Sequence, residues 1–196
     1  MSVLLFIHAW QKMKNMVNLK VSQRVLARIE NSLFNSKSKL SGYTSTKSRN
    51  FERILMELHI FTDGGSRGNP GPAAIGGVVY ADVKNGEVVH DFSEYLGVGT
   101  NNEAEYTALL TSAQWVSQYV SNNSVEKCTW NLDSKLVVEQ IQKHWKIKEP
   151  RMRVFAEQCW HLLDGLGCDW KIQYVPRAEN AVADSLVNQA LDAQAA

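Results

Sequence analysis

With 196 residues, 44% of them apolar and 21% charged, the chain has room for one packed domain and an appendage. No apolar stretch approaches the roughly 18 residues that a membrane-spanning helix needs. Its three cysteines (Cys128, Cys159 and Cys168) form no CxxC pair and are odd in number, which excludes a closed disulfide framework and points to reduced core thiols.

The net charge of +1 hides an asymmetry. Residues 1–58 hold ten Lys or Arg against Glu30, Glu52 and Glu57, a local balance of +7 that leaves −6 for the remainder. Residues 1–55 form a zone of their own: basic, poor in acids and rich in serine towards its end. Within it Val17–Leu33 carries helical apolar spacing at Val21, Val25, Leu26, Ile29 and Leu33. Three readings of this zone stay open: a basic arm aiding nucleic-acid association, an organelle transit peptide, and a disordered or non-native leader with Met56 as the true start. Cytoplasm is the expected location, and mitochondrion or plastid the alternative if the zone is a transit peptide.

A second region, residues 56–193, reads as one domain. Leu58–Asp63 is an apolar strand ending in an acid, and the glycine-rich turn Gly64-Gly65-Ser66-Arg67-Gly68-Asn69 follows at once. Ala74–Asp82 is a second strand, Lys84-Asn85-Gly86-Glu87 a hairpin turn with the Asn-Gly signal, and Val88–Leu96 a third strand. Thr100 and Glu103 then match a capping box, opening a helix to about Val120. Cys128–Asp133 is a fourth strand ending in an acid, and helices follow over Ser134–Trp145 and Met152–Leu166. Asp169–Val175 is a fifth strand, residues 176–180 a loop, and Ala181–Leu191 a last helix. The order βββαβααβα predicts an α/β fold: a five-stranded mixed sheet with helices packed on it.

Four carboxylates fall at the edges of these elements. Asp63 and Asp133 end strands that, if parallel, share one carboxyl edge. Glu105 and Asp184 lie in the first turns of two helices that can point back to that edge. Such acids repel one another when buried together, and divalent cations relieve the repulsion. Oxygen donors alone suit Mg²⁺ or Mn²⁺ rather than zinc. Taken singly, each acid reads more often as a cap or a solvated residue than as a ligand, and capping of the helix at Ser134 is an alternative reading of Asp133. His59, His90, His144 and His161 sit in no ligand spacing and read as structural or solvated.

The stretches DGGSRGNPGPAAIGG, TNNEAEYTAL, NLDSKLVVEQI and VPRAENAVADSLVNQAL resemble, in order, the four motifs of type 1 ribonuclease H, covering Leu58 to about Leu191. The resemblance implies an RNase H-like fold and endonucleolytic cutting of RNA in RNA–DNA hybrids. Motif by motif, it makes Asp63, Glu105, Asp133 and Asp184 the metal-binding acids. Two Mg²⁺ ions about 4 Å apart, Asp63 bridging them, would activate water and stabilise the leaving 3′ oxygen; Mn²⁺ is the alternative metal.

Reading 2′-hydroxyls across a shallow minor groove falls, on this resemblance, to Gly64, Ser66, Gly68, Asn69, Asn101 and Asn102, with Thr100 a candidate phosphate ligand beside its capping role. Lys135 and Gln140 are weaker candidates for the same contacts and read first as ordinary helix-surface residues. Where many relatives carry a histidine, this chain has Arg177, which cannot act as a base near neutral pH and is expected to assist through charge on the scissile or leaving phosphate. Trp145, among Lys143, Lys146 and Lys148, is open to two readings: stacking along the DNA strand, or packing under a helix end. The expected protein is a monomer with no small-molecule cofactor and no membrane partner. The alternatives are a non-catalytic hybrid- or RNA-binding protein of the same fold, and a ribonuclease H module derived from a retroelement.

Overall fold

The computed structural model describes residues 56–194. The expectations for residues 1–55, including the helix over Val17–Leu33, lie outside the described residues. Five strands form one sheet: β1 (Met56–Ser66), β2 (Gly71–Ala81), β3 (Glu87–Gly99), β4 (Val125–Leu132) and β5 (Asp169–Tyr174). Their spatial order is β3-β2-β1-β4-β5. The pairs β1–β2 and β2–β3 are antiparallel, whereas β1–β4 and β4–β5 are parallel. Four helices accompany them: α1 (Asn101–Asn122), α2 (Lys135–Ile141), α3 (Pro150–Asp164) and α4 (Ala181–Ala193). The mixed sheet and the element order are those expected from the sequence. None of the described helices is long and apolar enough to cross a membrane.

Both faces of β1 are covered, as its near-continuous burial requires. On one face Leu58 and Ile60 join Trp130, Tyr106, Leu109, Val116, Cys159 and Leu163 in the main core under α1 and α3. Trp130 is wholly buried, and its indole N–H donates to Ser112 Oγ at 2.9 Å, tying β4 to α1 without an orphaned donor. The opposite face is thinner. There Phe61, Val78 and Tyr80 meet Ala183, and Ala74 meets Val187, Ala190 and Leu191 of α4. Gly76 is what lets α4 lie this close: a Cβ there would stand 2.7 Å from the Ala183 carbonyl oxygen and the Val187 nitrogen.

Most boundaries differ from the expected ones by a few residues, and three of the differences have a clear local cause. β1 does not stop at Asp63 but continues to Ser66, because its edge towards β2 goes on pairing through Ser66↔Ala73 after the edge towards β4 has ended at Thr62↔Leu132. α2 ends at Ile141 rather than Trp145; Lys143 turns to φ 64°, and the N–H groups of His144 and Trp145 both reach back to the Glu139 carbonyl. Residues 177–179 of the expected loop form a short 3₁₀ turn. The capping box at the head of α1 is present in both directions: Thr100 Oγ1 accepts from Glu103 N, and Glu103 Oε2 accepts from Thr100 N at 2.8 Å. Arg151 of α3 adds a 2.8 Å ion pair to the other Glu103 oxygen, so the start of α1 is pinned to α3 as well.

Candidate active site

Parallel strands in register bring equivalent positions side by side, about 4.8 Å apart. The last matched pair of β1 and β4 is Thr62↔Leu132, so the next residue of each strand, Asp63 and Asp133, emerges at one place on the carboxyl edge. Glu105 arrives from the second turn of α1, whose start is held by the capping box. Asp63, Glu105 and Asp133 each offer a carboxylate oxygen within 4.8 Å of the other two. Asp63 and Glu105 are only 5% and 6% exposed, so little water screens this contact.

The electrostatics follow from that crowding. Burial, then Asp133 and Asp184, push the Asp63 carboxyl up to about 6, against the opposing pull of Arg177 and the Gly64 N–H. Burial, then Asp63 and Asp133, push Glu105 well above the usual carboxylate range. One Glu105 oxygen, Oε2, is buried with no hydrogen-bond partner. An all-oxygen set with an orphaned buried acceptor and mutually repelling acids fits a hard divalent cation such as Mg²⁺ or Mn²⁺.

Asp184, the fourth expected acid, lies beside this trio rather than within it. It lines the same cleft of about 230 Å³ as Asp63 and Glu105. On the first turn of α4 its carboxylate is engaged by Arg177 from the preceding turn and by Asn188 Nδ2 at 3.2 Å. Asp133 is no helix cap: the N-cap of α2 is Ser134, and Asp133 Oδ1 instead accepts from Asn180 Nδ2 at 2.7 Å. Asn180 is almost fully buried, and nothing in the sequence separates it from an ordinary residue ahead of a helix.

Among the residues expected at the nucleic acid, Asn101 and Asn102 are exposed at the head of α1, and Asn69 Oδ1 accepts from the Asn101 N–H at 3.1 Å, so the glycine-rich turn and α1 present one surface. Ser66 Oγ donates to the Gly68 carbonyl, shaping that turn, and Gly68 takes φ 105°. The Thr100 hydroxyl is engaged within the capping box. Gly64 is buried, and the close approach it permits is that of α1. Gln140 is not a surface residue: it is 8% exposed and accepts from the Tyr106 hydroxyl at 2.8 Å, while Lys135 is exposed as expected. Trp145 is 47% exposed and borders a cleft of about 300 Å³ with Asn102, Gln140 and Lys148. His90 stacks on Trp115 at 4.3 Å and His144 pairs with Glu139 at 3.0 Å; no histidine joins the acids among the described residues.

Residues 61–190 match the family described as "Reverse transcriptase-like". Ribonuclease HI of Halobacterium salinarum is 38% identical over 135 residues, which is 69% of this chain. The chain spans 64% of that relative's length, less than two thirds of it. Among solved structures, RNase H1 of the same archaeon superposes with a TM-score of 0.63 at 37% identity, covering 70% of this chain and 98% of that one. LC11-RNase H1, solved in complex with an RNA/DNA hybrid, gives a TM-score of 0.65 at 35% identity over 71% of this chain and 99% of that one.

Proposed function

The chain belongs to the type 1 ribonuclease H family, and on that premise we propose that it is a Mg²⁺-dependent endonuclease that hydrolyses the RNA strand of RNA–DNA hybrids by two-metal-ion catalysis. The observation that carries this reading is the trio of Asp63, Glu105 and Asp133, whose oxygens lie within 4.8 Å of one another with one Glu105 oxygen buried and unpartnered. With two ions held there, the centre gains a water of lowered pKa and neutralises charge on the leaving 3′ oxygen. Asp63 would be a central ligand of such ions, since its carboxylate is crowded by Asp133 and Asp184 and in turn acts on Glu105. Asp184, which lines the same cleft, completes the set.

The protein's own groups do the remaining work. Asn69, Asn101 and Asn102 carry amides that donate and accept at the groove, and Ser66 and Gly68 leave the turn thin enough for ribose to approach. Arg177 is 74% exposed and ion-paired with Asp184, so it stands between solvent and the acids. Its guanidinium stays charged, further held so by Asp184, and serves as a fixed positive charge for the scissile or leaving phosphate. Arg177→Ala is expected to lower turnover at saturating Mg²⁺ by about 10-fold, less than for a buried donor because the group is solvated. Full turnover in the variant would remove Arg177 from the mechanism.

The test of the reading as a whole is cleavage of a hybrid labelled on its RNA strand, run with Mg²⁺, with Mn²⁺ and with EDTA. Cutting of the hybrid with either metal, none with chelator, and none of single-stranded RNA or duplex DNA is the expected pattern. Persistent cutting in EDTA would sink it.

The described domain is acidic, and the basic residues 1–55 compensate by attracting the polyanion. Removing them is expected to weaken hybrid binding and to flatten the dependence of affinity on salt. An unchanged salt slope would show that this zone does not touch the substrate.

A further inference from the structure

Asn180 precedes α4 and would ordinarily serve as its N-cap, its side-chain oxygen accepting a backbone N–H of the first turn. It does not do so: the residue makes no side-chain cap hydrogen bond, and its Oδ1 is buried without a partner. The amide is turned the other way. Nδ2 donates to the Thr62 carbonyl at 2.9 Å and to Asp133 Oδ1 at 2.7 Å. Both partners are acceptors, so exchanging the amide's oxygen and nitrogen would break both bonds and this orientation is fixed. The Asn180 carbonyl also accepts from the Asp184 N–H at 3.1 Å. One residue, 1% exposed, thus touches Asp133 directly, the backbone next to Asp63, and the backbone of Asp184.

We infer that Asn180 is a positioning residue whose side-chain amide holds Asp133 against the end of β1 in the orientation that binds the divalent cation. The inference rests on reading the acids as a cation site. A buried, unpartnered oxygen is costly, and at φ −103° and ψ 14° the Asn180 backbone lies outside the extended geometry that capping residues usually adopt. The fold accepts that cost and donates the amide to the Asp133 carboxylate, which shares its space with Asp63 and Glu105. With both donor bonds in place, Asp133 keeps its second oxygen free for the cation. Groups that orient a metal ligand typically change metal affinity by about 10- to 100-fold when removed.

Serine separates this role from capping. Asn180→Ser keeps a residue type able to cap a helix but is too short to reach Thr62 and Asp133 together, whereas Asn180→Ala offers neither the amide bonds nor a capping group. Calorimetric titration of the substrate-free protein with Mn²⁺, alongside thermal melts in EDTA, reads affinity and folding apart from turnover. The expected result is an affinity about 10-fold lower in both variants, while the metal-free melting temperature of Asn180→Ser stays near that of the parent. Cleavage by the serine variant should shift to higher metal concentration and recover as metal is added. Mn²⁺ affinity within about 2-fold of the parent in Asn180→Ser would overturn the inference and leave the proposed function standing. Metal-free unfolding of both variants would also overturn it, making the amide a structural cross-link. A parent protein that binds no Mn²⁺ would overturn both.

Discussion

Asp63→Asn is expected to abolish hybrid cleavage and, at the same time, to make the metal-free protein more stable at neutral pH. The first effect follows from the position of Asp63 at the centre of the acids: its loss should lower Mg²⁺-dependent turnover by at least about 10²–10³-fold, the range for removing one preorganised electrostatic group. The second follows from its carboxyl, raised to about 6 first by burial and then by Asp133 and Asp184. An acid whose folded-state pKa is raised binds its proton more tightly folded than unfolded. Between its ordinary value near 4 and about 6 the folded protein therefore carries the extra proton, and stability falls as pH rises through that window. By pH 7 the ionised, buried Asp63 costs the metal-free fold on the order of 3 kcal/mol.

Asparagine has no charge to bury, so most of that cost disappears. Melts in EDTA should show the parent losing stability from pH 4 to pH 7, and the variant melting about 5 °C or more above it at pH 7. Glu105, raised in the same direction, leaves the variant a residual slope. Added Mg²⁺ should stabilise the parent and scarcely move the variant. A variant that cleaves like the parent, or whose melting temperature follows the parent's across this pH range, would refute the assignment of Asp63.

How much of this was legible in the sequence depends on how local each cause is. Asp63 and Asp133 could be placed together because both follow apolar strands, and the register Thr62↔Leu132 sets them side by side. Glu105 could be placed because the box of Thr100 and Glu103 fixes where α1 starts, and hence which side of its second turn faces the sheet. The end of β1 was not legible, since an apolar run does not tell that one edge goes on pairing to Ser66 while the other stops at Thr62. Gln140 looked like a surface residue because its partner, the Tyr106 hydroxyl, lies 34 positions away. Asn180 was invisible for a sharper reason: asparagine ahead of a helix has a sufficient local explanation, and only its burial and its two distant acceptors show that it does something else. Asp184 was legible as a member of the cleft but not as a partner of Arg177, whose side-chain direction is set by the 3₁₀ turn.

Gly64→Ala should be nearly as damaging as loss of an acid, although the side chain it adds is one methyl group. The turn after Asp63 suggests a backbone left bare for a ligand, yet at Gly64 the space is already filled by α1. A Cβ there would stand 2.2 Å from the Ala104 carbonyl carbon, 2.3 Å from the Glu105 nitrogen and 2.4 Å from the Ala104 carbonyl oxygen. These are backbone atoms and cannot rotate aside, so the start of α1 has to retreat by an ångström or more. That end of the helix is pinned by its capping box and by Arg151 on Glu103, so the retreat strains both. Overpacking of this kind should cost about 3 kcal/mol or more. The same movement carries Glu105 away from Asp63 and Asp133 and breaks the contacts of the Gly64 N–H with the acids. A displacement of about 1 Å at a catalytic group lowers turnover by about 10²-fold. Gly65→Ala is the control: its Cβ meets only Val187 Cγ1 at 3.2 Å, the tip of a side chain that can shift. That variant should lose less than about 1 kcal/mol and cleave within a few-fold of the parent. Equal melting temperatures and equal Mn²⁺ affinities in the two variants would show that α1 yields freely, and that its approach to Gly64 does not set the position of Glu105.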